Sequence, residues 1–201
     1  MDAKQANEDI RTVREMIEKT KREASASGAV YLSWGILTAA AIGGMHLLAW
    51  MHHHRWIWIN WILFMGIGVV YTLVHFARLD RRQKVKTHIQ ASLEVLWFAC
   101  GSAFLIAGFV FPAAGLYPPE AISVLMALIA GIGLFVTGGI VEWKLLTWGG
   151  VAGFVGALGM LAVPVWTRSL LLLPVILLGY ILPGAAMVRR ERDRGEAHDR
   201  R

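Results

Sequence analysis

One stretch decides the fold: ASLEVLWFACGSAFLIAGFVFPAAGLYPPEAISVLMALIAGIGLFVTGG, residues 91–139. It consists of an apolar run, a break that contains Pro112, Pro118 and Pro119, and a second apolar run. Each run has about 20 residues, which is enough for a helix to cross ~30 Å of hydrocarbon. The stretch therefore predicts a transmembrane helical hairpin.

Similar apolar runs lie on both sides of this hairpin. The chain is 56% hydrophobic and only 17% charged over 201 residues, a combination that is rare in soluble domains. We predict an all-α polytopic membrane bundle of six transmembrane helices, preceded by a cytosolic amphipathic helix (residues 1–28) and followed by a charged cytosolic tail (189–201). Within the membrane domain, 29–188, the predicted spans lie near 29–51, 56–76, 91–111, 120–140, 145–163 and 169–188.

The basic residues predict the orientation. If both termini are cytosolic, the inner side holds 18 of the 20 Lys and Arg residues, and the outer side holds only Arg55 and Arg168. Such a bias is what the positive-inside rule produces, so it explains the net charge of +6 without nucleic-acid binding. We expect a multi-pass protein of the bacterial inner (plasma) membrane.

The spans resemble three tandem hairpins. Each outward-going helix opens with a tryptophan near small residues, and each returning helix carries glycine. The corresponding positions are Trp34, Trp97 and Trp148 in the first set, and Gly66-Ile67-Gly68, Gly131-Ile132-Gly133 and Gly179 in the second. Units with two spans each share one orientation, so this pattern predicts a parallel repeat. The alternative is that membrane helices in general place Trp at the interface and Gly at contacts.

Small residues and prolines predict how the helices pack. Gly35, Ala39 and Gly43 recur every four residues on the first span, and Gly149, Gly153, Gly156 and nearby Gly159 lie on the fifth. Small residues permit close helix approach in lipid, so the fifth span is expected to be buried. Pro174 and Pro183 predict a kink in the sixth span, and the tail after residue 188 is expected to be disordered.

His46 and Asn60 are predicted to form a structural polar pair. His46 follows Gly35 by three helical turns, so it should point into the bundle from the same face. Asn60 lies at nearly the same depth on the second span, and a buried polar group in lipid needs a partner. We therefore predict a hydrogen bond between the two side chains.

Other polar residues suggest functional sites. Three residues near the inner boundary, His75, Glu94 and Lys144, are candidates for a proton or substrate role. The outer turn His52-His53-His54, together with His46, is a candidate metal site, although an interfacial polar turn is favoured because no acid lies close by. The polybasic connector is a candidate lipid-headgroup site formed by Arg81, Arg82, Lys84 and Lys86.

The functional expectation is a protein that acts through protein or lipid interactions. Standard enzyme motifs are absent, so we predict no catalysis and no cofactor. The partners expected are membrane lipids, a second copy of the chain, and a cytosolic protein bound through residues 1–27, which lack the Trp and Phe of lipid-floating helices. Two alternatives remain open: a small dimeric transporter or channel, and a membrane protein that binds a metal or small ligand.

Three segments carry a family resemblance. They are Arg14–Lys21 with Ser33-Trp34-Gly35, Thr137-Gly138-Gly139-Ile140, and Leu178–Gly184. Together they resemble a family of uncharacterised bacterial six-helix integral membrane proteins. That resemblance implies an inner-membrane location and carries no activity with it. The architecture alone is also similar to that of the short-repeat membrane proteins associated with acid resistance.

Overall fold

The computed structural model describes residues 28–80 and 88–199. The predicted cytosolic helix and the connector residues Arg81, Arg82, Lys84 and Lys86 lie outside these ranges. The described chain forms six long helical segments. They are α1 (Gly28–Trp50), α2 (Ile57–Asp80), α3 (His88–Leu105, continued by a π turn, Ile106–Val110, and by Phe111–Ala113), α4 (Ile122–Ile140), α5 (Lys144–Gly159) and α6 (Arg168–Ile176, a π turn, Leu177–Ile181, and Leu182–Asp199).

The predicted all-α fold with six membrane-spanning helices is confirmed. All six segments are long and apolar enough to cross a bilayer. Because successive spans alternate in direction, the starts of α1, α3 and α5 share one end of the bundle with the ends of α2, α4 and α6. We call this the terminal end, and the other the loop end.

Tight turns end α1 and α4. His52 and Glu142 adopt positive φ angles of 58° and 54°, the left-handed conformation that commonly terminates helices. The N–H of the next residue then donates to a carbonyl of the helix. His53 donates to Leu48 at 2.8 Å, and Trp143 donates to Gly138 at 2.9 Å. The backbone of His52 therefore has a structural role in the first turn.

Four of the six helices form the core. α4 packs along α5, and α1 packs along α6, whereas α2 packs mainly on α1 and α3 mainly on α4. The most apolar windows of α4, α5 and α6 are 33–39% buried and that of α1 is 17% buried, against 6% for α2 and 11% for α3. The bundle therefore has a packed centre and two peripheral helices.

Glycine contacts set the spacing of the core helices. A Cβ on Gly153 would lie 2.7 Å from the Cα of Gly131 on α4, and one on Gly149 would lie 2.7 Å from the Cα of Gly179 on α6. The predicted burial of the fifth span agrees with these contacts. Gly159, however, faces open space and makes no such contact.

The glycine pattern on α1 is only partly a packing face. Gly35 lies against Ile181, but Gly43 faces open space. Four-residue steps advance by about 400°, so each step drifts about 40° around a helix with 3.6 residues per turn. Two such steps carry Gly43 off the face that Gly35 presents to α6.

Helix α6 departs from α geometry between its two prolines. A π turn, Leu177–Ile181, lies after Pro174 and before Pro183. Pro183 has no N–H to donate to the carbonyl four residues earlier, and a π turn is one way to absorb such a break. The expectation of a disordered tail was wrong, because the helix continues to Asp199. Arg190, near the start of this extension, makes a cation–π contact, since its guanidinium lies 5.5 Å from the centre of the Trp143 ring.

Candidate functional site

His46 and Asn60 do not hydrogen-bond to each other, because each side chain has a different partner. Asn60 Nδ2 donates to the carbonyl of Ala41 at 2.9 Å, and its side chain lies over Gly44. His46 follows Ala41 by five residues, or about 140° further around α1. The two polar side chains therefore meet different faces of α1, and the prediction of a direct bond between them was wrong.

The spacing of His46 from Gly35 predicted that it points into the bundle, and its half-buried side chain contacts Ser169 on α6. Its Nδ1 lies 2.9 Å from the carbonyl of Ile42, which can only accept, so Nδ1 is the donor. That tautomer leaves Nε2 as an acceptor for the hydroxyl of Ser169 at 3.4 Å. His46 thus links α1 to the start of α6 near the loop end.

A tryptophan, a threonine and a glycine join α1 to α2 at the terminal end. The Trp34 indole N–H donates to the Thr72 hydroxyl at 2.9 Å, and that hydroxyl donates to the carbonyl of Gly68 at 2.8 Å. The Trp34 ring lies directly on Gly68, where a Cβ would be 2.8 Å from the ring. We call this arrangement a clasp, because one indole is held by a hydroxyl and by the glycine one turn before it.

The same clasp joins α3 to α4. The Trp97 indole N–H donates to Thr137 at 3.2 Å, Thr137 donates to the carbonyl of Gly133 at 2.6 Å, and the Trp97 ring covers Gly133. Trp34 precedes Trp97 by 63 residues, and Gly68 precedes Gly133 by 65. These are the offsets of the predicted repeat, so the first two hairpins share side-chain geometry as well as sequence pattern.

The third hairpin lacks the clasp. Ile181 and Ala185 lie 48 residues after Gly133 and Thr137, the spacing that separates Gly131 from Gly179. Neither offers a hydroxyl to an indole. Trp148, the tryptophan of this hairpin, is 68% exposed, and Gly149 beside it packs on α6 instead.

Aromatic residues extend the second clasp into the core. The rings of Tyr31, Trp97 and Tyr180 lie 5.7–6.4 Å apart, in edge-on and tilted contacts. Aromatic pairs at such distances contribute about 0.5–1.5 kcal/mol beyond area burial. Leu134 and Leu146 are fully buried in the same cluster. We call these three rings with Thr137 the aromatic cluster; it joins α1, α3, α4 and α6.

Thr137 and Trp97 satisfy each other's polar groups within the aromatic cluster. Thr137 is 2% exposed, and its hydroxyl contacts both the Trp97 indole and a carbonyl. The Tyr31 phenol lies beside the Thr137 and Trp97 side chains. Cys100 is buried next to Gly133. Large rings and the hydrogen-bonded Thr137 hydroxyl therefore fill the centre of the terminal half.

The three candidate functional residues near the terminal end lie outside this cluster. Glu94 is exposed on α3, and Lys144 is exposed at the first position of α5. His75 is half-buried on α2, where its ring stacks on Tyr71 at 5.8 Å. None of the three is buried in the core.

The outer histidines lie along the turn between α1 and α2. The rings of His52 and His54 are 6.4 Å apart, and all three residues of the turn are exposed. In the part of the chain that the structure describes, no group of three His, Cys, Asp or Glu residues is arranged to hold a metal ion.

The sequence reasoning missed Thr72, Tyr31 and Tyr180. A signal for Thr72 was present, because it precedes Thr137 by 65 residues, the offset already seen for the glycines. No comparable spacing marks the two tyrosines. They meet only because α1 and α6 pack together, and one of them lies in a π turn.

The fold and this interior define a helical multi-pass membrane protein. Comparisons of the chain with protein-family models, with curated proteins and with solved structures give no match.

Proposed function

We propose that the protein is a non-enzymatic integral protein of the bacterial inner membrane, with both termini in the cytosol, that acts through contacts with lipids and other proteins. The bias of basic residues and the resemblance to six-helix inner-membrane proteins support the location and orientation. The contrast between the core and the peripheral helices supports the mode of action.

The observation that carries the proposal is the filled interior beside the aromatic cluster. A transport route needs polar groups that face a hydrated passage. Thr137, a core hydroxyl on α4, instead makes two hydrogen bonds within the protein, at 3.2 and 2.6 Å. Helix backbones approach closely at Gly153 and Gly149, which leaves little space between α4, α5 and α6.

The peripheral helices supply the interaction surface. Val95 and Phe98 on α3 are 70% and 78% exposed. Among the described residues, α3 has its main packing contacts with α4 only. A helix that is packed on one side can offer its other side to lipid or to another membrane helix.

Cys100, the single cysteine, tests the filled interior without a mutation. We expect the full-length protein in phospholipid vesicles to resist a charged, water-soluble methanethiosulfonate reagent, because Cys100 is 6% exposed. Denaturation in SDS should then make it reactive. The matched control is Glu94→Cys in a Cys100→Ala background, which places a thiol on the same helix at an exposed position and should react readily. Rapid labelling of Cys100 in vesicles would indicate a hydrated route and overturn the proposal.

Photo-crosslinking tests the interaction surface. We expect a photoreactive residue at Val95 to give discrete protein adducts in native membranes. The control is Leu158 on α5, which is equally exposed at 69%. Adducts at neither position, or equal adducts at both, would argue against α3 as the contact surface.

A further inference from the structure

One face of helix α2 points outward, and the shallow, open depression along it is lined by residues of α2 alone. With only 6% of its window buried, α2 is the least covered of the six spans. The groove has a volume of about 820 Å³. It is lined by Ile62, Leu63, Gly66, Ile67, Val70, Tyr71, Val74, His75 and Arg78. We call it the α2 groove.

The α2 groove is amphiphilic along its length. From Ile62 to Val70 its lining is entirely apolar. Towards the terminal end it becomes polar, with the stacked rings of Tyr71 and His75 followed by Arg78. An apolar surface that ends in aromatic and basic groups matches a lipid with an anionic headgroup, because each part of the lipid then meets a compatible surface.

The dimensions fit one leaflet. Gly66 precedes Arg78 by 12 residues, which corresponds to about 18 Å along a helix. The hydrocarbon of one leaflet is roughly 15 Å thick, half of ~30 Å. A Cβ on Gly66 would meet nothing within 4 Å, so the groove is open where the end of an acyl chain would lie.

Charge at the polar end favours an anion over a zwitterion. Arg78 is exposed, and its guanidinium can bind a phosphate through two parallel hydrogen bonds. Four further basic residues follow within eight positions, against one acid, Asp80. Those four are the connector residues Arg81, Arg82, Lys84 and Lys86.

We propose that the α2 groove binds one anionic phospholipid of the cytosolic leaflet. The headgroup phosphate lies on Arg78, next to the Tyr71–His75 ring pair, and an acyl chain follows Val70 and Ile67 to Gly66. This inference rests on the proposed function and orientation, and it names a ligand class and a site for the lipid contacts. A protein helix in the same groove would meet the basic end with an acidic residue, so a bound protein is an alternative that the experiment detects.

Native mass spectrometry tests the site. The full-length protein is reconstituted in vesicles of equal phosphatidylglycerol and phosphatidylethanolamine, released in mild detergent, and weighed with its retained lipid. We expect one retained phosphatidylglycerol per chain. Arg78→Gln should lower this retention about fivefold, the effect of losing one basic contact near anionic lipid. Arg55→Gln, the matched control at the other end of the same span, should leave it unchanged.

A second pair of variants tests the apolar part. Gly66→Leu fills the open position and should lower retention of phosphatidylglycerol. Gly139→Leu is its control, because Gly139 is also exposed with open space around it but lies on α4. All four substituted positions are exposed. The helix content of each variant, measured by circular dichroism, checks that it folds.

The outcomes separate the two proposals. Equal retention of both lipids, an Arg78→Gln variant that behaves like Arg55→Gln, or a second protein mass in place of lipid would each overturn the lipid site. None of these results depends on whether Cys100 is reactive. The lipid site can therefore fail while the filled interior stands, and the reverse also holds.

Discussion

The close approach of α4 and α5 gives the sharpest prediction, and Gly153→Ala is the perturbation. An alanine Cβ would lie 2.7 Å from the Cα of Gly131 and 3.0 Å from the carbonyl oxygen of Ala127. Ordinary van der Waals contact begins near 3.4 Å. The helices would therefore have to separate by about 0.7 Å at this point (3.4 minus 2.7). Both neighbours are main-chain atoms, so no side chain can rotate away.

Two opposing effects set how much Gly153→Ala changes the free energy of unfolding. Overpacking of a tight contact costs about 1–3 kcal/mol. Replacing glycine by alanine inside a helix gains roughly 0.5–1 kcal/mol, because the unfolded chain loses freedom. The difference spans about 0–2.5 kcal/mol, and we expect Gly153→Ala to be destabilising by roughly 1 kcal/mol, near the middle of that range. Gly159→Ala on the same helix should be neutral or stabilising, because Gly159 has no neighbour within 4 Å.

Equilibrium unfolding of the full-length protein in mixed micelles with increasing SDS measures both variants. Loss of helix by circular dichroism gives the midpoint of each transition. Gly153→Ala should unfold at lower SDS than wild type, and Gly159→Ala at the same or higher SDS. Equal midpoints for the two variants, or a higher midpoint for Gly153→Ala, would refute the argument that this contact sets the spacing of the core.

Three further predictions use the same unfolding assay. Thr137→Val removes the buried acceptor of an indole N–H and should cost about 1 kcal/mol. The same change at half-buried Thr72 should cost less, near the ~0.6 kcal/mol average for hydrogen bonds between membrane helices, and no loss at either position would contradict the clasp. Asn60→Leu should cost about 1–3 kcal/mol, since it leaves no donor for a main-chain contact and adds bulk against a glycine. A variant as stable as wild type would show that the amide is dispensable. Ser169→Ala should cost under about 0.5 kcal/mol, because its contact with His46 is long at 3.4 Å, and a loss above about 1 kcal/mol would assign that contact a larger role.

The repeat could be read from the sequence because it rests on spacing. Trp34 and Trp97, like Gly68 and Gly133, are visible as pairs at nearly constant offsets. The sequence did not reveal that the indole is held by a threonine, because many hydroxyls occur in membrane helices. Nor did it show that the third hairpin breaks the pattern, where Trp148 points away from the core.

Polar partners were the hardest feature to predict. Asn60 meets α1 at Ala41 and Gly44, within five residues of His46, and yet the two side chains do not bond. Their partners depend on rotation about the helix axis and on which neighbour lies on each side. A main-chain carbonyl is within reach of almost any polar side chain, so both residues found partners on α1 itself.

The sequence by itself determined the class of the protein, through six apolar runs of membrane-spanning length. Lipid imposes this outcome, because every span must satisfy its own backbone hydrogen bonds and must be long enough to cross. Only the tertiary structure decided which helices form the core. In lipid, helices associate through close packing rather than through a hydrophobic drive, so the order of packing depends on which small residues meet. Gly153 meets Gly131 at the centre, whereas α2 and α3 stay at the periphery, and Gly66 remains open on the outside, where the α2 groove lies.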